Sequence, residues 1–129
     1  MSEPVLVGLL FADRVITENN NKKGIIGTFN RFHAEKYPVA FPTWAIYAAA
    51  TNLTGAHEFA LNLIEEETSQ VIIPISGKIE VASTSDVVEL TPTIMGAVFP
   101  RPGSYTLSFH IDGSVIGART LYVQKAEPK

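Results

Sequence analysis

The stretch SYTLSFHIDGSVIGA, residues 104–118, predicts a β-hairpin near the end of the chain. From Tyr105 to Ile111, aromatic and aliphatic residues alternate with polar ones, which is the two-residue period of a strand with one buried face. Asp112 and Gly113 follow, and Asp-Gly is a favoured pair for a type I′ turn between two strands. The hairpin therefore indicates an antiparallel sheet with a core on one side.

The second strand of this hairpin is predicted to change register before it ends. A two-residue turn places Ile111 opposite Ser114. Strict alternation from that pair would turn Leu121 and Val123, the apolar residues later in the strand, away from the core. We therefore predict a one-residue bulge within residues 117–120, because one extra residue returns these side chains to the buried face.

The rest of the chain has the same character, with strand-like segments of about eight to ten residues separated by turn residues. Residues 5–12 are uniformly apolar, as in a strand covered on both faces, and residues 57–67 alternate cleanly. Pro74 indicates a sheet edge or a bulge, and Pro92 breaks a later segment. These patterns predict an all-β fold of about eight mostly antiparallel strands, without a helix, in a single domain over residues 1–129.

The composition excludes several kinds of chemistry and disfavours others. The chain has no cysteine, which excludes thiol nucleophiles and thiolate metal sites. Its net charge of −3 offers no general attraction for nucleic acid or anionic lipid. Charged residues make up only 18% of the chain and hydrophobic ones 46%, so apolar surface remains for a partner. We expect a homo-oligomer or a complex with another protein, and no nucleic-acid partner.

The sequence gives no sign of export or membrane insertion. The apolar run Val5–Ala12 is too short to span a bilayer, and Glu3 stands where a signal peptide carries basic residues. We therefore expect a cytoplasmic protein with no membrane partner.

The final hairpin resembles the last hairpin of many immunoglobulin-like sandwiches. In PGSYTLSFHIDG, residues 102–113, a Pro-Gly turn precedes Tyr105, which occupies the position of a conserved tyrosine of that fold. Leu107 stands where a disulfide cysteine lies in many such domains. The resemblance implies a single immunoglobulin-like β-sandwich.

Nearly the whole chain resembles a family of small uncharacterised bacterial proteins, a domain of unknown function. The resemblance rests on the segments LLFADRVITENN, GIIGTFNRF, FPTW and PGSYTLSFHIDG, the last leading into TLYV. It implies a small cytoplasmic β-sandwich of bacterial or phage type. It carries over no catalytic residues, so it leaves the function open.

One candidate metal site combines His33, Glu35 and His57. His33 and Glu35 are two residues apart and would point to the same side of a strand. His57 would supply a further ligand if the two regions pair, since a zinc or other divalent site needs three or four converging ligands. The alternative, which we favour, is that these are exposed polar residues at strand ends.

A candidate ligand-binding surface combines Tyr37, Trp44 and Tyr47. Aromatic residues among prolines in a loop can form a platform for a carbohydrate or a peptide by stacking. The alternative, which we again favour, is that Trp44 packs under the loop as part of the core.

A hydrolytic triad can be written from Ser104 or Ser108 with His110 and Asp112, and Ser108, His110 and Asp112 would share one face of the final hairpin. An exposed hairpin face provides neither an oxyanion hole nor exclusion of water, so we do not assign catalysis to these residues.

The sequence favours a non-catalytic binding or assembly module without a cofactor, in which Pro42 and Pro74 guard strand edges. A metal-dependent small enzyme and a carbohydrate-binding module are the alternatives.

Overall fold

A computed structural model describes residues 3–126, and within that range the chain forms twelve β-strands and no helix. The strands are β1 (Val5–Thr17), β2 (Lys23–Phe29), β3 (Arg31–Ala34), β4 (Val39–Ala40), β5 (Trp44–Thr51), β6 (Gly55–Glu65), β7 (Val71–Val81), β8 (Val88–Leu90), β9 (Thr93–Ile94), β10 (Val98–Phe99), β11 (Gly103–Ile111) and β12 (Ser114–Lys125). The prediction of an all-β chain is confirmed. Within residues 3–126, no helix has the length and apolar content needed to cross a membrane.

The strands form two five-stranded sheets and one small two-stranded sheet. The first, called here the β1 sheet, has the order β2-β1-β5-β8, with β9 also paired to β5. The second, called here the β11 sheet, has the order β3-β12-β11-β6-β7, and β10 pairs with β4. The pairs are antiparallel except β12–β3, which is parallel.

Both large sheets contribute side chains to one core. Phe11 and Ile46 enter it from the β1 sheet, and Leu63, Leu107 and Leu121 enter it from the β11 sheet; all five are fully buried. Alternation in β6 and β11 places their apolar residues on this buried side, as the sequence predicts.

The final hairpin folds as predicted at its turn, with the bulge one residue earlier than predicted. Asp112 and Gly113 have φ values of 50° and 83°, and Ile111 pairs with Ser114. The register shifts between Phe109 and the next residue, which leaves Ile116 as the extra residue. The shift places the following position, a glycine, opposite Phe109, and in the register after it Leu121 and Val123 face the core.

Gly117 is that position, and it lies against β1. A Cβ atom at Gly117 would stand 2.7 Å from Cδ2 of Leu6, so the leucine occupies the space that a side chain would need. A side chain at Gly117 would therefore have to displace the end of the Leu6 side chain where β12 lies against β1.

The count of about eight strands is too low because two predicted segments break and the short strand β4 forms in the proline-containing segment that was expected to be a loop or an edge. The segment containing β2 and β3 divides at Asn30, where the chain leaves the β1 sheet and joins β12 in the other sheet. The segment from 86 to 99 yields three short strands, separated around Pro92 and Gly96. The prediction that residues 5–12 are covered on both faces is also wrong in part, because Val5 and Val7 are exposed.

Candidate functional site

The three predicted metal ligands lie in different parts of the β11 sheet. His33 is opposite Gln124 on the edge strand β3, whereas His57 is opposite Ile79 on the far side of β11. Glu35 follows β3 and is exposed. Within residues 3–126, no group of three histidine, aspartate or glutamate side chains is placed to hold a metal ion. The structure therefore does not bring His33, Glu35 and His57 together.

His57 instead joins the start of β6 to the tip of the final hairpin. Its Nδ1 lies 2.6 Å from Oδ2 of Asp112, and its Nε2 lies 2.9 Å from the carbonyl oxygen of Thr54. Both partners are hydrogen-bond acceptors, so an imidazolium with two N–H groups fits the site best. Hydrogen bonds to Asp112 and then to Thr54 raise the pKa of His57 above its ordinary value. Neither ring nitrogen is left free for a metal ion.

Asp112 completes this contact with backbone hydrogen bonds. Its Oδ1 accepts a hydrogen bond from the Glu58 N–H at 2.9 Å, and its own N–H donates to the Glu58 carbonyl at 2.8 Å. The bonds from His57 and from the Glu58 N–H hold the pKa of Asp112 below its ordinary value. Asp112, His57 and Glu58 together fix the hairpin tip on β6; we call this arrangement the His57 clasp.

The three aromatic residues proposed as a ligand platform do not share a surface. Trp44 is 2% exposed and packs against Phe11, Phe29, Phe32 and Phe99, so its ring has no face open to a ligand. The alternative assignment of Trp44 to the core therefore agrees with its position.

Tyr47 lies on the opposite face of β5, three residues along the strand from Trp44. Its hydroxyl donates to Oε2 of Glu89 at 2.5 Å, and burial together with that carboxylate raises the pKa of Tyr47 to about 12. Tyr37 donates to the Gln124 carbonyl at 2.6 Å and packs against the core.

A shallow depression with mixed polar and apolar lining lies on the outer face of the β11 sheet, with a volume of about 410 Å³. Polar side chains in its lining come from Glu58, Asn62, Ser76, Lys78 and His110. Asp112 directs both carboxylate oxygens to His57 and the Glu58 N–H, so the structure does not assemble the set Ser108, His110 and Asp112. Nothing in this open depression excludes water from a reacting group.

Exposed apolar side chains concentrate on β1 and β2. Six of the twelve large apolar side chains that are exposed among residues 3–126 lie there, namely Val5, Leu6, Val7, Ile16, Ile25 and Ile26. Strand β2 is also the outer strand of its sheet and pairs with residues 11–17 of β1, so its open edge lies beside Ile16, Ile25 and Ile26, whereas the other three lie at the opposite end of β1. Open edges bind other strands readily.

The other sheet edges are shorter or carry features that oppose strand pairing. The β7 edge contains Pro74, exposed Lys78 and exposed Glu80, which agrees with the prediction that Pro74 lies at an edge. Strand β3 has four residues and β8 has three. The β2 segment KGIIGTF is longer than β3 and β8 and, unlike β7, has no proline. The β2 edge, with the exposed apolar residues beside it, is the candidate functional site.

The protein is therefore an all-β domain with one core between its two large sheets and an open edge at strand β2. A family model described as a family of unknown function, DUF6941, matches residues 8–124. The chain therefore belongs to the DUF6941 family, which confirms the expectation of a domain of unknown function over nearly the whole chain. A search of curated proteins returned no match.

Proposed function

We propose that this protein is a non-catalytic assembly module that associates with copies of itself. The observation that carries the proposal is the open edge of β2, with exposed Ile16, Ile25 and Ile26 beside it. Burying such surface removes apolar area from water, which is the main favourable contribution to most protein association. The low share of charged residues, 18%, supports the same conclusion.

We also propose that the fold is an immunoglobulin-like sandwich. Two observations support this assignment. The last strand, β12, pairs in parallel with β3. Strand β3 directly follows β2 of the other sheet, so the chain switches sheets early, as it does in many immunoglobulin-like domains. The buried Tyr105 donates its hydroxyl to the carbonyl of Arg101, four residues upstream, at 2.6 Å, the hydrogen bond of a tyrosine corner. Folds of this kind serve many functions, so the fold alone does not specify the partner.

The experiment that tests the proposed function is a concentration series by size-exclusion chromatography with light scattering. Self-association predicts a mass that rises from 14.0 kDa towards a multiple of that value as the concentration increases. A mass that stays at 14.0 kDa up to millimolar concentration would show that the protein does not assemble with itself.

A further inference from the structure

The hairpin formed by β1 and β2 extends beyond the rest of its sheet. Strand β5 pairs with β1 only as far as Ala12, whereas β2 continues to pair with β1 up to Thr17. Residues 13–27 therefore form a two-stranded arm, a name used below for this range. A two-stranded hairpin is marginally stable alone, so this arm gains most from a third strand beside it.

The open edge of the arm presents backbone groups in an alternating pattern. At the turn, the Glu18 N–H donates to the Lys22 carbonyl at 2.8 Å. In an antiparallel ladder, pairs that exchange hydrogen bonds alternate with pairs that do not. The next pair, Thr17 with Lys23, is therefore of the second type, and so is Val15 with Ile25. Lys23 and Ile25 thus direct their N–H and C=O groups outward.

One face of the arm has complementary charges at its two ends. Asp13 covers Gly27, because a Cβ atom on that glycine would stand 2.2 Å from Oδ2 of the aspartate. Lys23 lies on the same face, since side chains two residues apart along a strand share a face. The Lys23 ammonium contacts only the neutral hydroxyl of Thr17, at 2.8 Å, and has no acidic partner within 4.0 Å among residues 3–126.

The opposite face combines one large residue with one glycine. Ile26 is 38% exposed, and Gly24 leaves space that Ile16 partly fills, since a Cβ atom there would stand 2.9 Å from Cγ1 of Ile16. If two β2 strands pair antiparallel with Ile25 opposite Ile25, then Ile26 lies opposite Gly24 of the second copy and next to its Ile16. In the same register, Lys23 of the second copy lies opposite Gly27 and next to Asp13.

We propose that β2 pairs edge to edge with β2 of a second copy, antiparallel, about a two-fold axis at Ile25. This inference rests on the proposed self-association and names its surface. The axis repeats each complementary contact twice: Lys23 with Asp13 on one face, and Ile26 with the Gly24–Ile16 site on the other. The outward backbone groups of Ile25 then bond to those of Ile25 in the second copy.

A second copy fits this edge better than an unrelated strand because its charges and side-chain sizes match in one register. The register also limits this contact to two copies, since a two-fold axis pairs the β2 edge of one copy with the β2 edge of the other and leaves neither open to a third copy. Gly27, with a φ of 71°, departs from strand geometry and so limits regular pairing to the short segment around Ile25. We therefore expect a dimer that dissociates on dilution.

Two variants test the edge in the full chain. Ile25→Pro removes the outward N–H, which the monomer does not use in pairing β2 to β1, and so should block the dimer while leaving the fold intact. Lys23→Glu places a carboxylate next to Asp13 of the second copy twice in each dimer. We expect it to weaken dimerisation by at least roughly tenfold. Lys22→Glu is the matched control, because it makes the same charge change outside the paired segment.

Light scattering over a dilution series measures each variant, with far-ultraviolet circular dichroism to confirm folding. The proposal predicts a dimeric wild type and Lys22→Glu variant, with Ile25→Pro and Lys23→Glu monomeric at the same concentration. The double variant with Asp13→Lys and Lys23→Glu should recover the dimer, because the two charges are exchanged.

The possible failures are distinguishable. Self-association that neither edge variant weakens would overturn this interface and leave the proposed function standing. A wild type that is monomeric at every concentration, as expected if the edge binds a strand of a different protein, would overturn both.

Discussion

Arg101 is the residue whose loss should expose the energetic cost of a buried carboxylate. Glu65 is 1% exposed, and its Oε1 accepts hydrogen bonds from Arg101 Nη1 and Thr68 Oγ1, each at 2.5 Å. Its Oε2 is buried without a protein partner among residues 3–126. The Arg101 guanidinium therefore supplies the compensating charge for this carboxylate.

The structure sets the expected size of the effect. Breaking a fully buried ion pair by removing one partner costs about 3–5 kcal/mol, since a charge is left without compensation. The Arg101 side chain is 43% exposed, so water can reach the position it leaves. We therefore expect Arg101→Met to lower the free energy of unfolding by about 2–3 kcal/mol. Methionine preserves part of the apolar stem, which separates loss of charge from loss of packing.

A double-mutant cycle in urea measures this interaction. Glu65→Gln removes the charge but keeps the shape, so Arg101→Met should cost at least about 1 kcal/mol less in that background than in the wild type. Equal denaturant dependence of the free energy across the four proteins would show that their denatured states are comparable. A loss below about 0.5 kcal/mol for Arg101→Met, or full additivity, would refute a charge-compensating role for Arg101.

Three further predictions concern the clasp, the glycine against β1, and the core. Because the pKa of His57 is raised and that of Asp112 is lowered, the clasp should stabilise the fold most between pH 3.8 and 6.5. The stability that the clasp contributes should be lost as pH rises through the raised pKa of His57 or falls through the lowered pKa of Asp112. If the melting temperature of His57→Ala depends on pH in the same way as that of the wild type, this prediction is wrong. Gly117→Ala should cost about 1–3 kcal/mol in urea unfolding, and adding Leu6→Ala should remove most of that penalty; an unaltered penalty would argue against the contact. Trp44→Ala should cost about 3–5 kcal/mol, and the wild-type fluorescence of Trp44 should resist quenching by iodide, whereas efficient quenching would place the ring at the surface.

Periodicity predicted the parts of the fold that depend on one buried face. Alternation in β6 and β11 was sufficient to identify their inward residues, because a strand with one buried face has no other way to hide its apolar side chains. The Asp112-Gly113 turn was equally clear, since both positions require positive φ. The bulge was predicted from the mismatch between that turn and Leu121.

The remaining features depend on contacts between distant parts of the chain. The His57–Asp112 pair joins residues 55 positions apart, and no local pattern indicates that His57 should pair with Asp112 rather than with His33. The switch of sheet at Asn30 likewise depends on which strand lies beside β12. The β2 edge was missed because an edge is defined by what lies beside a strand, which no local pattern records.

Disulfide formation at Ile25 tests the central claim most directly. The chain has no cysteine, so Ile25→Cys introduces a single thiol. Residues that exchange hydrogen bonds across antiparallel strands have Cα atoms about 5.5 Å apart, within the range that a disulfide spans. The proposed axis predicts rapid oxidation of Ile25→Cys to a covalent dimer, while Val71→Cys, on the β7 edge and also exposed, remains monomeric. Equal, slow cross-linking of both variants would contradict a two-fold axis at Ile25.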